Sequence, residues 1–145
     1  MTMWTRALML FAALLPAMGC GAQARSPEPV PVDRVECARC RMLISTEIGA
    51  GQIVSAHEET RFYDDIACLA ADWNAHRNDA TPFVRLGDGT WATAPDASYA
   101  QPPAARTAMG SGYAAYATIE EARTADRNGR VLSWDEMVAK AGESQ

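Results

Sequence analysis

Short runs rich in β-branched and aromatic residues alternate with one strongly helical stripe along the middle of this chain. Gln52–His57 (QIVSAH) and Arg61–Tyr63 have the length and residue content of two strands joined by a Glu-Glu-Thr turn. Asp64 and Asp65 then occupy the N-cap and first-turn positions of a helix running to Arg77. Its apolar residues Ile66, Leu69, Ala70 and Trp73 recur at helical spacing. A second passage follows: a strand at 82–86, a Gly-Asp-Gly turn at 87–89, and a hairpin partner at 91–94. The stretch PDASYAQPPAART (95–107) is proline-rich and predicts irregular structure. Tyr113–Thr118 predicts a strand, 119–128 a helix stopped by Gly129, and Val131–Ser133 a short strand. The final helix, 134–142, is capped by Ser133 with Glu136 three residues on. These elements define an α+β class, with two passages of strand, strand and helix suggesting two similar small strand-strand-helix-strand halves in one domain.

The N-terminal end follows a different pattern. Arg6 precedes an apolar run from Ala7 to Leu15, followed by small residues to Cys20, which reads as a secretory signal over 1–19. The run is shorter than the roughly 20 apolar residues of a membrane span. Ala17-Met18-Gly19-Cys20 resembles a lipobox, in which the cysteine is lipidated and becomes the mature N-terminus. A plain secretory signal with an incidental Cys20 is the alternative. Residues 20–34, with three prolines and no apolar periodicity, predict a flexible linker. Residues 35–145 then form one domain, long enough to bury a real core.

Of 13 Lys and Arg, only Arg6 precedes Cys20, so 12 face 18 Asp and Glu in the mature chain. That acidic balance offers no basic patch for nucleic acid. It suits a cation or a basic partner surface.

The candidate chemistry centres on CARCRMLIS (37–45). Cys-x-x-Cys fits a disulfide staple, a redox pair, a zinc site or a soft-metal site, and the spacing alone leaves all four open. The redox reading suffers because apolar and β-branched residues follow Cys40, not a helix start. Setting Cys20 aside, the three cysteines Cys37, Cys40 and Cys68 cannot all pair, so a staple explains only part of the set. Zinc has enough ligands by count if His57 joins the three cysteines. Met42, two residues after Cys40, shares its face in an extended chain, and thioether with thiolate suits Cu(I). Met109 stands in TAMGSGY, a glycine-flanked loop with little core to fill, from which its sulfur can approach another site. Asp65, Cys68, Asp72 and His76 share one helix face, which also reads as an ordinary solvated side. Cys68 itself reads as a small hydrophobe at the edge of the buried stripe. Asp64 and Asp65, being adjacent, point about 100° apart on a helix, a poor acid–base pair. No nucleophile–base pattern or phosphate loop occurs, and the expectation is that this is not an enzyme.

Taken in order, the leader, Cys-x-x-Cys-x-Met, FYDDIAC, a Trp before an irregular stretch, and Met-Gly-x-Gly before a strand and helix resemble the NosL family. Its members are accessory lipoproteins of nitrous oxide reductase that act as periplasmic copper chaperones. The resemblance runs from about Val35 to Met137. It implies the two-halved α+β fold, similar to a domain of organomercurial lyase, and Cu(I) as the bound metal. It also implies a periplasmic, membrane-anchored location through Cys20 and a copper-enzyme acceptor, nitrous oxide reductase. Its metal-binding positions map to Cys40 and Met109, with Met42 and Cys37 matching the motif around them. The family usually reads Cys-Gly-Met, whereas this chain has Cys40-Arg41-Met42, which brings positive charge beside a cuprous thiolate and removes the backbone freedom of glycine. The competing expectation is an exported interaction domain with a Cys37–Cys40 disulfide, or a zinc module.

Overall fold

The computed structural model describes residues 25–143, so the signal sequence and Cys20 lie outside the described residues. Its organising element is strand β1 (Gly51–Ser55), hydrogen-bonded on both edges. β2 (Arg61–Tyr63) runs antiparallel on one side with Gly51 opposite Tyr63. β3 (Ala80–Arg85) runs antiparallel on the other, with Gly51 opposite Val84 and Ser55 opposite Ala80. β4 (Trp91–Thr93) adds to the outer edge of β3, giving the order β2-β1-β3-β4. Helix α1 (Ile66–His76) packs on β1, β2 and β3. Asp65 is extended (φ −147°, ψ 137°) and its Oδ1 accepts from the Ala67 amide, so the helix starts at Ile66 and not at Asp64.

A short 3₁₀ turn at Ala94–Asp96 leads to a second, smaller sheet of β5 (Ser98–Ala100) and β6 (Ala114–Tyr116). β5 falls inside the stretch expected to be irregular. Three residues between prolines give no local signal, and the strand forms because Tyr99 is wholly buried and its neighbours pair with β6. Helix α2 (Ile119–Ala125) carries a full capping box between Thr118 and Glu121 and ends three residues before the expected Asn128. The strand expected at Val131–Ser133 is one bridge, Leu132 exchanging both backbone bonds with Tyr99 at 2.8 and 3.0 Å. Helix α3 (Trp134–Glu143) starts at the anticipated Ser133–Glu136 capping box, packs against α1, and buries Trp134 and Met137. β5 is thus bordered by β6 on one side and by the single bridge to Leu132 on the other.

The linker expectation for 20–34 fails where the described residues begin to dock. Gln52, buried in the central strand, satisfies both ends of its amide on the backbone of Glu28, at 2.8 and 2.9 Å. Val30 enters the core, and Asp33 donates to the Ile44 carbonyl. Arg25 lies 3.8 Å from Asp79, just before β3 and beside the end of β1 that leads to His57. Among the described residues no helix is long and apolar enough to cross a membrane.

Gly51 marks the tightest packing of helix on sheet. A Cβ there would lie 2.7 Å from Leu69 Cδ2 and 3.2 Å from the Phe83 carbonyl oxygen. Leu69 is fully buried and has nowhere to retreat. Gly51→Ala is therefore expected to destabilise the domain by about 1–3 kcal/mol, read from the midpoint of urea unfolding; an unchanged midpoint would show that α1 can shift away from β1.

Candidate metal centre

The CARCRM segment is the tip of a hairpin. Ile44 donates to the Val35 carbonyl and Cys37 to the Met42 carbonyl, while Arg41 turns back to the Cys37 carbonyl. The turn closes with Arg41 at φ 66°, the left-handed region that glycine adopts without strain. This is the position where the resembling family has glycine, so the backbone demand is kept although the residue has changed. The Arg41 side chain is exposed and pairs with Glu36 at 2.9 Å. The charge expected beside the thiolate is spent on a surface ion pair.

A backbone bond from Ala38 to the Phe62 carbonyl, 2.8 Å, stitches this tip to β2. The chain then passes from buried Tyr63 through Asp64 and Asp65 into α1, whose first turn carries Cys68. The result is convergence: the ligand atoms of Cys37, Cys40, Asp64 and Cys68 all lie within 4.8 Å of one another. Cys37, Cys68 and Asp64 are buried, whereas Cys40 is half-exposed, with its sulfur 3.5 Å from both Asp64 oxygens. All three cysteines are free thiols, so the Cys37–Cys40 staple is not formed.

The four acidic groups share charge sparingly. The Cys68 thiol donates to Cys37, and the amides of Cys40, Asp64 and Arg39 also point at that sulfur. Together they outweigh burial and hold Cys37 down at about 4. Cys68 is pushed far up because its proton is committed to Cys37 and because it is buried. Burial raises Cys40 to about 11, partly offset by the Met42 amide, and lifts Asp64 to about 6, with the Cys37 thiolate adding to the rise. At neutral pH the set therefore favours one thiolate beside retained thiol protons, and a cation among the four would let those protons leave.

The methionine loop reaches the same corner by a different route. Asp65 Oδ2 accepts from the Met109 amide at 3.3 Å and Oδ1 from the Ser111 hydroxyl at 2.6 Å, while Gly110 and Gly112 take positive φ on either side of Ser111. Met109 is half-exposed and lines a cavity of about 270 Å³ together with Cys68, Arg39, Tyr113 and Met137. Met42 is likewise exposed, at the hairpin tip.

His57 does not belong to this site. It is exposed, with its ring 3.5 Å from Asp79 beyond the far end of β1. The five-residue strand β1, at about 3.3 Å per residue, separates it from the Gly51 end where the cysteines gather. His76 and Asp72 are also elsewhere, in a network with Arg61 and the Tyr63 hydroxyl. Sequence reasoning left Asp64 out of the site and counted Cys68 only in the zinc reading, otherwise placing it at the edge of the apolar stripe. The signal available was the FYDDIAC motif, together with the surplus third cysteine.

Three thiols and a carboxylate converging on a small α+β domain form a donor set of metal-site geometry. Comparison with solved structures finds the same fold in the copper chaperone NosL from Shewanella denitrificans, with a TM-score of 0.56 and 18% sequence identity, covering 79% of this chain and 94% of that one. No family model matches this chain. No curated protein matches it either.

Two substitutions test the local geometry. Arg41→Gly is expected to relieve left-handed strain and to leave stability unchanged or raised by up to about 1 kcal/mol, as followed by thermal unfolding; a clear loss would mean that the Glu36 pair matters more than the backbone. Asp65→Ala removes the α1 cap and both loop anchors. It should cost about 1–3 kcal/mol and accelerate tryptic cleavage after Arg106, and an unchanged cleavage rate would show that the loop is held by other contacts.

Proposed function

We propose that this protein is a Cu(I) carrier of the exported, lipid-anchored kind, which hands copper to an acceptor copper enzyme. The observation that carries the reading is the convergence of Cys37, Cys40 and Cys68 beside two solvent-facing methionines. Cu(I) is soft, accepts two or three sulfur ligands, and exchanges them readily. Cys37 and Cys68 hold the buried side, and half-exposed Cys40 is the sulfur an incoming partner ligand can displace first. Met42 and Met109 line the way out as weaker thioethers. The fold shared with a copper chaperone, and the motif order read from the sequence, support copper as cargo. The leader and the motif order of the sequence carry the further reading of periplasmic anchoring through Cys20 and of nitrous oxide reductase or a related enzyme as acceptor. Nothing in this chemistry requires turnover of an organic substrate, so the protein acts as a carrier and not as an enzyme.

Asp64 favours one competing reading. Three thiolates and a carboxylate also make a tetrahedral set for zinc. The two metals separate in solution.

Titration of the reduced full chain with Cu(I) against a coloured cuprous chelator is expected to show tight uptake. It should be lost in Cys40→Ser and Cys68→Ser, weakened about tenfold in Met109→Ala, and unchanged in His57→Ala. Binding displaces the protons that the raised Cys40 and Cys68 retain. Affinity should therefore fall on acidification, about tenfold per pH unit for each proton released, and more steeply below pH 6 as Asp64 protonates. Failure to compete with the chelator, or zinc uptake that Cu(I) cannot displace, would replace the copper reading with the zinc one.

A further inference from the structure

Within the cluster, two sulfurs differ from the third. Cys37 and Cys68 are both buried with their sulfurs within 4.8 Å of each other, whereas Cys40 is half-exposed and faces Asp64. A buried, adjacent pair of sulfurs is a two-electron donor whose product, a disulfide, needs only that the two atoms close on each other. Cys37 comes from the hairpin tip and Cys68 from the first turn of α1, so the two sulfurs meet across separate elements. Asp64 supplies the oxygen donor that an oxidised, harder copper ion prefers over thioethers. A third sulfur, Cys40, is left over when the pair is consumed.

We propose that the cluster captures copper reductively. Cu(II) meets Cys40 and Asp64, and the Cys37–Cys68 pair reduces it to Cu(I), which Cys40 and the exposed methionines hold only weakly until the pair is reduced again. The balance is simple. The Cys37 thiolate and the Cys68 thiol each give one electron to a Cu(II), and an S–S bond forms between them. The thiol proton leaves to Asp64 or water, and two Cu(I) result. Each chain performs the step once, because the disulfide must be reduced by an external dithiol before it can act again. The inference rests on the copper reading above and adds an activity to it: the protein would accept both oxidation states of copper while holding one.

The chain itself allows a direct test. Trypsin cuts after Arg34, Arg39, Arg41, Arg61 and Arg77, which places Cys37, Cys40 and Cys68 on three separate peptides. Reduced full-length protein is mixed anaerobically with Cu(II) chloride and a cuprous chelator. The Cu(I) formed is counted, and the disulfide is mapped by mass spectrometry after blocking free thiols. The expected result is two Cu(I) per chain and a link between the peptides VECAR and FYDDIACLAADWNAHR, with Cys40 blocked as a free thiol. Cys37→Ser and Cys68→Ser should each lose the fast phase of Cu(I) formation. Absence of Cu(I), or a link that joins Cys40 or Cys20, overturns the proposal. The copper-carrier reading stands or falls separately, on retention of copper supplied as Cu(I): uptake without reduction of Cu(II) removes only this inference, whereas reduction without uptake removes only the carrier.

Discussion

Asp65 is the residue on which the metal centre depends mechanically. It is wholly buried and accepts three hydrogen bonds, from the Ala67 amide, the Met109 amide and the Ser111 hydroxyl. The first starts helix α1 and so sets the direction of Cys68. The other two fasten a loop some 44 residues downstream against the same helix start. A buried carboxylate is costly unless its oxygens are satisfied, and here satisfaction and assembly are the same bonds. Adjacent Asp64 faces the opposite way, toward the sulfurs. The divergence that makes the two aspartates useless as an acid–base pair lets them hold two parts of one site.

The electrostatics of the centre follow from crowding. Four ionisable groups within 4.8 Å cannot all lose their protons in a buried corner, so one thiolate is stabilised at the expense of its neighbours. The amides around Cys37 supply fixed dipoles, whereas the exposed Arg41 pairs with Glu36 and Arg39 lies 4.0 Å from Asp72. The centre is thus electrostatically prepared for a positive ion and structurally prepared for sulfur chemistry. Its one half-exposed thiol gives it a single direction of exchange.

Much of the fold was legible from local signals. The cap at Ser133, the stripe of α1, and the pairing of β1 with β2 are dictated within a few residues of where they appear, whereas the cap of α1 falls at Asp65, one residue after the expected Asp64. What was not legible depends on long-range partners. β5 exists through its pairing with β6 and Leu132, and the docked segment around Glu28 exists because one buried glutamine amide needs a backbone to bond. At the site, Cys37 and Cys40 were visible from their spacing, but Cys68 looked like part of an apolar stripe. A periodicity argument cannot separate a small hydrophobe from a ligand that faces the same core. His57 was chosen for nearness in sequence. An extended strand turns that nearness into distance.

The docking of Glu28 and Val30 has a mechanical consequence. The chain enters the domain beside Asp79, at the pole where β1 ends and β3 begins, and Glu28 is fastened to Gln52, near the other end of β1, before the chain reaches the cysteine hairpin. Any pull applied upstream of Arg25 is therefore taken up first by Gln52 and the strands around it.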